Sequence, residues 1–515
     1  MLDAAGVGIK YRPEAADRTR ISIVALTDTR LRRATPIAML VDRDALVVCV
    51  IALYAVVVLV SLPAMLVQDS WLTLVGGREI VQHGLPAHDH LTAWTHGVRW
   101  IDQQWLAQIF FYAIFLVGGM KLVLLSHAGL LIGAFSLALV AVRRNGASEK
   151  SVCLVAILCM FAAPWGLQLR AQTIGTLLFV CAMALLLADS RRPSRRVLLV
   201  LPLLALWTNV HGTVLLGATL AIGRGLTIAL TGRGRKEPSW RLRSAGLLVA
   251  SPLCLVASPY GLSLVGYYHR IAANPLMSKF IVEWRASTPS RFTAPFFLLA
   301  FLTVWVVARH GNRLTPFEQL ALFLTLVSGL WAIRSIVWFA LTALMVLPIA
   351  VDGLLITRPR RVSLRRLRRC AGLGAGLVAL AGAGVAAAQP SSSLLHEWPA
   401  NALPAIRQAT VDPSTRVFAN DRYSDWLLWQ LPDLRGRIAY DVRFELFDER
   451  QFRRLHAYRS EVGDDWRRAT AGYPVLMFGL PADRLLWRAF RREPGARVLY
   501  ADRLLGVVSL PVRPR

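Results

Sequence analysis

The sequence predicts a polytopic α-helical membrane protein of about eleven crossings, followed by a small soluble α/β domain. Three observations carry this. The 515 residues are 55% hydrophobic but only 17% charged, against about 25% charged in soluble domains, and the mean hydropathy is +0.48. Apolar segments alternate with short arginine runs. From Gln389 onward the composition changes to that of a soluble chain.

Hydropathy marks spans at 45–67, 104–118, 121–142, 151–166, 172–189, 196–210, 212–230, 244–258, 293–308, 315–332, 335–352 and 370–388. The arginine runs orient them, because loops rich in Lys and Arg stay in the cytoplasm. The runs are Arg143-Arg144, Arg191-Arg192 with Arg195-Arg196, Arg233 to Arg243, Arg309 to Arg313, and Arg358 to Arg369. If every span crosses, the first two runs fall outside. The conflict disappears when 104–118 lies on the outer face as an amphipathic helix. It is shorter than the ~20 residues that a crossing needs, and it carries Gln104, Trp105, Gln108 and Tyr112, of which Trp and Tyr favour the interface. The polar stretch 1–43 then forms a cytoplasmic tail, 44–388 the membrane domain and 389–515 an extracytoplasmic α/β domain.

The net charge of +28 is dispersed over loops and makes no continuous basic stripe, which argues against a nucleic-acid partner. The six cysteines all fall in or beside apolar spans, with no CxxC pair, which argues against a disulfide framework or thiolate metal site. In the tail, strand-like runs at Arg416–Ala419, Arg437–Tyr440 and Pro474–Phe478 alternate with helix-like stretches at Asp425–Gln430 and Glu449–Tyr458. Arg497–Tyr500 and Leu505–Leu510 fit a closing hairpin. No P-loop, GxGxxG, HExxH, GxSxG or EF-hand pattern occurs.

The polar residues that stand out gather on the outer face. The stretch 68–103 reads as an outer loop with Asp69 at the mouth of the first span, then Arg78 and Asp89. A carboxylate there either serves as a general base or ends a helix in water. Asp89 either joins the chemistry or caps a turn after Pro86. Arg170 and Arg334 sit at span ends, where an arginine grips phosphate or snorkels to the interface. Arg334 interrupts a long apolar run, where its charge is costly. Asn209 and His211 lie between two spans as functional residues or as local backbone partners. Glu283 and Trp284 line a groove or belong to the interfacial belt, and Asp441 with Arg443 reads as a structural pair.

The ordered motifs resemble the C-type (GT-C) membrane glycosyltransferases that use polyprenyl-phosphate sugars, and within them a bacterial branch. The matching residues are Asp69, Trp71 (one position early), Gly77-Arg78-x-Ile80, Gly84-x-Pro86-x-x-Asp89 and Trp100 with Trp105-Leu106. Further along come Arg170-x-Gln172, Trp207-x-Asn209-x-His211-Gly212, Glu283-Trp284, Ser424-Asp425-Trp426-Leu427 and Tyr440-Asp441-x-Arg443. The resemblance implies transfer of one sugar from a polyprenyl-phosphate donor to an extracytoplasmic glycan, lipid or protein, in the bacterial plasma membrane. It implies Asp69 or Asp89 as the catalytic carboxylate, and Arg78, Arg170, Asn209, His211, Glu283 and Arg334 as substrate-binding residues. Two departures bear on metal. Asp69 is followed by Ser70 where relatives often carry a second acid, and Gln103-Gln104 stands where many carry His-Glu. No cofactor and no strict metal requirement are therefore expected. The alternative is a transporter or flippase of a lipid-linked glycan, or a scaffold whose tail binds a partner. Polar residues gathered at one face, and no convincing repeat, favour the enzyme.

Overall fold

In the computed structural model, residues 44–231, 237–355, 365–461, 463 and 465–511 are described. The predicted cytoplasmic tail 1–43 and the arginines at 233–235 and 358–361 lie outside the described residues.

The bundle begins with helix α1 (Ala45–Val60), followed by α2 (Gln68–His83), α3 (Trp105–Arg144), α4 (Glu149–Ala162), α5 (Gln172–Arg191), α6 (Val200–Thr208) and α7 (Val214–Leu230). Next come α8, a run over 240–254 with a π-turn at Gly246–Ala250, and α9 (Ser263–Ala273). The last four are α10 (Ala294–His310), α11 (Pro316–Trp331), α12 (Ile336–Val351) and α13 (Arg365–Ala388). Among the described residues, five helical stretches are long and apolar enough to cross a membrane: Trp105–Arg144, Gln172–Arg191, Ala294–Arg313, Ile333–Val351 and Arg366–Ala388. Three more apolar helices, α1, α7 and α11, are shorter. Their shared core is built on Phe135, Phe179, Trp207, Phe296 and Phe339.

Two features near the site differ from, or refine, the sequence reading. The stretch 68–103 is not one loop, since its first 16 residues are the helix α2. Gly76 and Gly77 lie at a close helix crossing. A β-carbon on Gly76 would lie 2.1 Å from Gln108 Oε1, and one on Gly77 would lie 2.4 Å from the Gln108 carbonyl oxygen. In α3, the helix breaks at Gly118 and Gly119, where Gly119 has φ of 64°. That break falls where hydropathy separates 104–118 from 121–142. The segment before it packs on α2, and the segment after it enters the bundle.

The tail holds a four-stranded sheet in the order β1 (Val417–Ala419), β2 (Val475–Gly479), β4 (Leu505–Ser509), β3 (Arg497–Ala501). β1 and β2 are parallel; β2 with β4 and β4 with β3 are antiparallel, so the expected closing hairpin is present. Helices α14 (Asp421–Gln430) and α15 (Glu449–Ser460) flank it. The run expected as a strand at 437–440 forms only isolated bridges. One joins Ile438 to Val417, and a second joins it to Thr92 of the loop after α2. Ala93 and Trp94 donate backbone hydrogen bonds to the Ile438 and Ala439 carbonyls, and Gly436 donates to Leu91. The loop thereby extends the tail's own hydrogen-bonding edge. A second apolar core spans this junction, with Trp71 and Phe111 from α2 and α3 meeting Trp398, Tyr423 and Trp426.

Replacing Gly77 by Val should force α2 off α3. Overpacking of this kind costs about 1–3 kcal/mol, so the thermal unfolding midpoint of the detergent-solubilised protein should fall. An unchanged midpoint would mean that the α2–α3 approach is not close.

Candidate functional site

The first turn of α2 fixes the central carboxylate. Ser70 Oγ accepts a hydrogen bond from the Val67 amide at 3.0 Å and donates to the Leu169 carbonyl at 2.6 Å. This ties the start of the helix to the turn that carries Arg170. Asp69, one residue earlier, therefore meets Arg170, with Oδ2 3.1 Å from Nε. The positive end of the helix dipole adds to the attraction there. The Arg170 fork turns the other way and holds Glu283, Nη1 to Oε2 at 2.9 Å and Nη2 to Oε1 at 2.7 Å. One guanidinium thus bridges two carboxylates from distant parts of the chain.

Arg334 completes the charge cluster. Ser287 donates to the Leu330 and Gly329 carbonyls, and Ile333 donates to the Arg285 carbonyl, at 2.6–3.0 Å. These bonds clamp the turn bearing Glu283 and Trp284 onto the bend before α12. The Arg334 guanidinium then sits 4.3 Å from the centre of the Trp284 ring, a cation–π contact. Among the described residues it forms no ion pair with a carboxylate at contact distance, although Glu283 and Asp69 both act on its charge. His211 lies at the turn between α6 and α7 and is buried. The Thr213 amide donates to its Nδ1 at 3.2 Å, which places the imidazole proton on Nε2. Burial, then the charges of Arg334 and Arg170, push its pKa down to about 3, so the ring is neutral.

The carboxylates are tuned apart. Burial lifts the Asp69 pKa above the ordinary carboxylate value, with Arg170 opposing and Glu283 adding to the rise. Its side chain nevertheless remains 34% exposed, so it is reachable. Burial also acts upward on Glu283, but the hydrogen bonds and charge of Arg170, with help from Arg334, hold it below the usual range. Near the cluster runs an apolar groove between α1, α3, α4, α5 and α12. Leu167 and Val337 line it, each three residues from a site arginine.

Asp69, Arg170, His211, Glu283 and Arg334 are therefore brought together; Asp89, Arg78 and Asn209 are not. Asp89 is fully buried and saturated: it accepts from the Leu91 amide at 2.9 Å, Thr92 Oγ1 at 2.9 Å, Thr95 Oγ1 at 2.6 Å and Arg443 Nη2 at 2.8 Å. Arg443 also binds Asp441 at 2.6 Å and lies 4.3 Å from the Trp100 ring centre. Asp89 thus anchors the loop to the tail. Arg78 donates to the Leu428 and Trp429 carbonyls at 2.6 and 3.1 Å and caps the end of α14. Asn209 accepts from Trp105 Nε1 at 2.9 Å and donates to the Ala205 and Ala257 carbonyls at 2.9 and 2.8 Å. Each has the residue type that a site would need, but its polar atoms are already engaged.

The sequence reading assigned no role to Asp102 and Glu445. Burial pushes Asp102 up to about 7 and Glu445 likewise to about 7. Asp102 Oδ2, Gln103 Oε1 and Gln108 Oε1 are buried without a hydrogen-bond partner. No spacing pattern distinguishes these residues; their surroundings come from α9 and from the tail. Among the described residues, no group of three or more His, Cys, Asp or Glu side chains is arranged to hold a metal ion.

No family model and no curated protein matches the chain in sequence. Solved structures do match in fold. The apo structure of ArnT from Cupriavidus metallidurans superposes with a TM-score of 0.51 at 14% identity, over 89% of this chain and 97% of that one. The same enzyme bound to undecaprenyl phosphate gives 0.49 at 13%, over 89% and 97%. The AglB oligosaccharyltransferase of Archaeoglobus fulgidus, in complex with an inhibitory peptide and a dolichol-phosphate, gives 0.49 at 10%, over 86% and 70%. The chain therefore shares the fold of the ArnT structure.

The raised Asp102 sets a pH dependence. Its folded-state pKa is about 7 against an ordinary 3.8. The folded protein keeps that proton over a range where the unfolded chain has lost it. The contribution to stability is full below about pH 4 and is lost as pH rises through 7. Asp102→Asn should flatten that part of the profile of unfolding midpoint against pH. Equal slopes for the two proteins would show that Asp102 titrates normally.

Proposed function

We propose that this protein is a GT-C-type membrane glycosyltransferase that moves a sugar from a polyprenyl-phosphate donor to an extracytoplasmic acceptor, with Asp69 as general base. One observation carries the reading. An accessible carboxylate of raised pKa pairs with Arg170 and feels the charge of Arg334, and an apolar groove begins within three residues of each arginine. The groove is fitted to the isoprenoid chain of the donor. Arg170 is already committed to Asp69 and Glu283, so Arg334 is the cation that takes the donor phosphate. Neutral His211 offers an Nε2–H donor nearby.

The chemistry follows from this placement. Asp69 removes the proton of the acceptor hydroxyl or amine, whose lone pair attacks the anomeric carbon. The bond from that carbon to the phosphate oxygen breaks with inversion. The polyprenyl phosphate leaves with the electron pair, stabilised by Arg334 and Arg170. Glu283 keeps Arg170 aligned and shares its charge, so that Asp69 retains enough basicity to accept a proton. Asp89, Arg78 and Asn209 act as structural ties in this reading, and no metal-dependent step is invoked.

In this reading the membrane domain crosses the bacterial plasma membrane eleven times, with the segment before Gly118 on the outer face and the N-terminus in the cytoplasm. The tail 389–515 is extracytoplasmic, as are α2 and the cluster. The arginine distribution supports this orientation.

Asp69→Asn keeps the size and hydrogen-bonding shape of the side chain but removes the base. It should lower transfer by about 10²- to 10⁴-fold while leaving the unfolding midpoint near that of the wild type. Arg334→Ala should in addition weaken protection of the protein by undecaprenyl phosphate in thermal unfolding. Full transfer activity in Asp69→Asn would sink the assignment.

A further inference from the structure

A second cavity opens beside the charge cluster, on the same face of the molecule. Arg99, Ser263, Tyr267, Arg270, Glu445 and Leu446 line it, and it opens to solvent.

Three parts of the chain build it. Ser263, Gly266, Tyr267 and Arg270 follow the i, i+3, i+4, i+7 spacing, so they share one face of α9. Leu262 and Val265, both exposed, lie on the opposite side. The loop contributes Arg99, which pairs with His88 in a backbone bridge and donates from Nη2 to Ser263 Oγ at 2.7 Å. Its remaining guanidinium donors stay available. The tail contributes Glu445 and Leu446 from a short turn, Phe444–Leu446. Gly266 leaves the floor open: a β-carbon there would meet nothing within 4 Å.

The lining is directional. Two guanidinium groups offer charge-assisted donors to an acid group. Glu445, Tyr267 and Ser263 offer the donors and acceptors that hydroxyl groups need, while Ile101, Leu446 and the edge of Trp100 supply apolar wall. The pocket is also coupled to the reaction cluster: Tyr267 and Arg334 act on each other's charge, and Glu445 feels Asp69. Glu445 is lifted by burial to about 7. That rise limits its repulsion of an anion.

We infer that this pocket is the acceptor subsite, and that it takes an acidic saccharide unit whose carboxylate or phosphate lies between Arg99 and Arg270 and whose hydroxyls meet Glu445 and Tyr267. The inference rests on the glycosyl-transfer reading above for the word acceptor, but the binding itself does not depend on it.

The test uses the full-length protein in detergent and follows thermal protection as a function of ligand concentration. Glucuronate, glucose 6-phosphate, glucose and inorganic phosphate are the probes for the pocket, and undecaprenyl phosphate is the probe for the donor site. Glucuronate or glucose 6-phosphate should bind at least tenfold more tightly than glucose. Gly266→Leu should weaken that binding at least tenfold by filling the floor, and it replaces a helix-weakening residue by a helix former. The double variant Arg99→Ala/Arg270→Ala, altered only at exposed positions, should do the same. Both variants should keep protection by undecaprenyl phosphate. Three results would each overturn the inference: equal binding of glucose, acid-sugar binding indifferent to both variants, or inorganic phosphate binding as tightly as glucose 6-phosphate. Loss of undecaprenyl phosphate protection in the wild type, with the sugar results intact, would instead count against the donor reading alone.

Discussion

A single guanidinium held between two carboxylates organises the face of the bundle where the polar residues collect. Arg170 reaches Asp69 at the start of α2 and Glu283 on a turn more than a hundred residues further along. Removing both acids would leave the guanidinium uncompensated, a strongly unfavourable outcome, whereas losing one leaves the other as its partner. The pairings therefore constrain the turn before α5, the first turn of α2 and the bend before α12 at once. Ser70 bonded to the Leu169 carbonyl, and Ser287 bonded to Gly329, are the short-range braces that make this geometry repeatable.

A second cation plays the matching part between loop and tail. Arg443 is almost fully buried and binds Asp89 and Asp441 while lying against Trp100. Asp89 stays ionised below the usual range because burial is outweighed by Arg443 and by the hydrogen bonds of Thr95 and Leu91. The two arginines divide the acids of this face: Asp89 and Asp441 are buried and hold the chain, whereas Asp69 and Glu283 keep part of their side chains open to solvent. The second cavity lies between the parts of the chain that these arginines hold. It fills the angle left between the loop that Arg443 pins, the tail turn beside it and the amphipathic helix α9.

Much of this was legible from the chain alone. Apolar spans, the glycine break in α3 and the tail hairpin follow from patterns within a few residues. Asp69, Arg170, His211, Glu283 and Arg334 were singled out because charged groups at the ends of apolar segments are costly, and because they fall in the order of a known family. Asp89, Arg78 and Asn209 satisfied the same criteria. What separates them is the number of partners already engaged, and those partners come from far away: Arg78 binds carbonyls 350 and 351 residues along the chain. The need for glycine at positions 76 and 77 is hidden from the local sequence for a similar reason, since the residue that demands it is Gln108 on another helix. Asp102 and Glu445 carry no local mark at all, because what raises their pKa is burial by elements outside their own segments.

The extension of the tail's backbone edge by residues 91–94 bears on the order of assembly. The loop after α2 emerges early in synthesis, yet the groups that hold it (the Ile438 and Ala439 carbonyls, the Gly436 amide and the Arg443 fork) are made some 350 residues later. At the ~5–20 residues per second of translation, that is a wait of roughly 20–70 seconds, during which Asp89 has its local partners Leu91, Thr92 and Thr95 but not Arg443. The contacts with the tail are of very high sequence separation, the kind that form last and slowly. The cleft therefore comes into being only once the whole chain has been delivered. A nascent or truncated chain would carry an inserted bundle with no finished site.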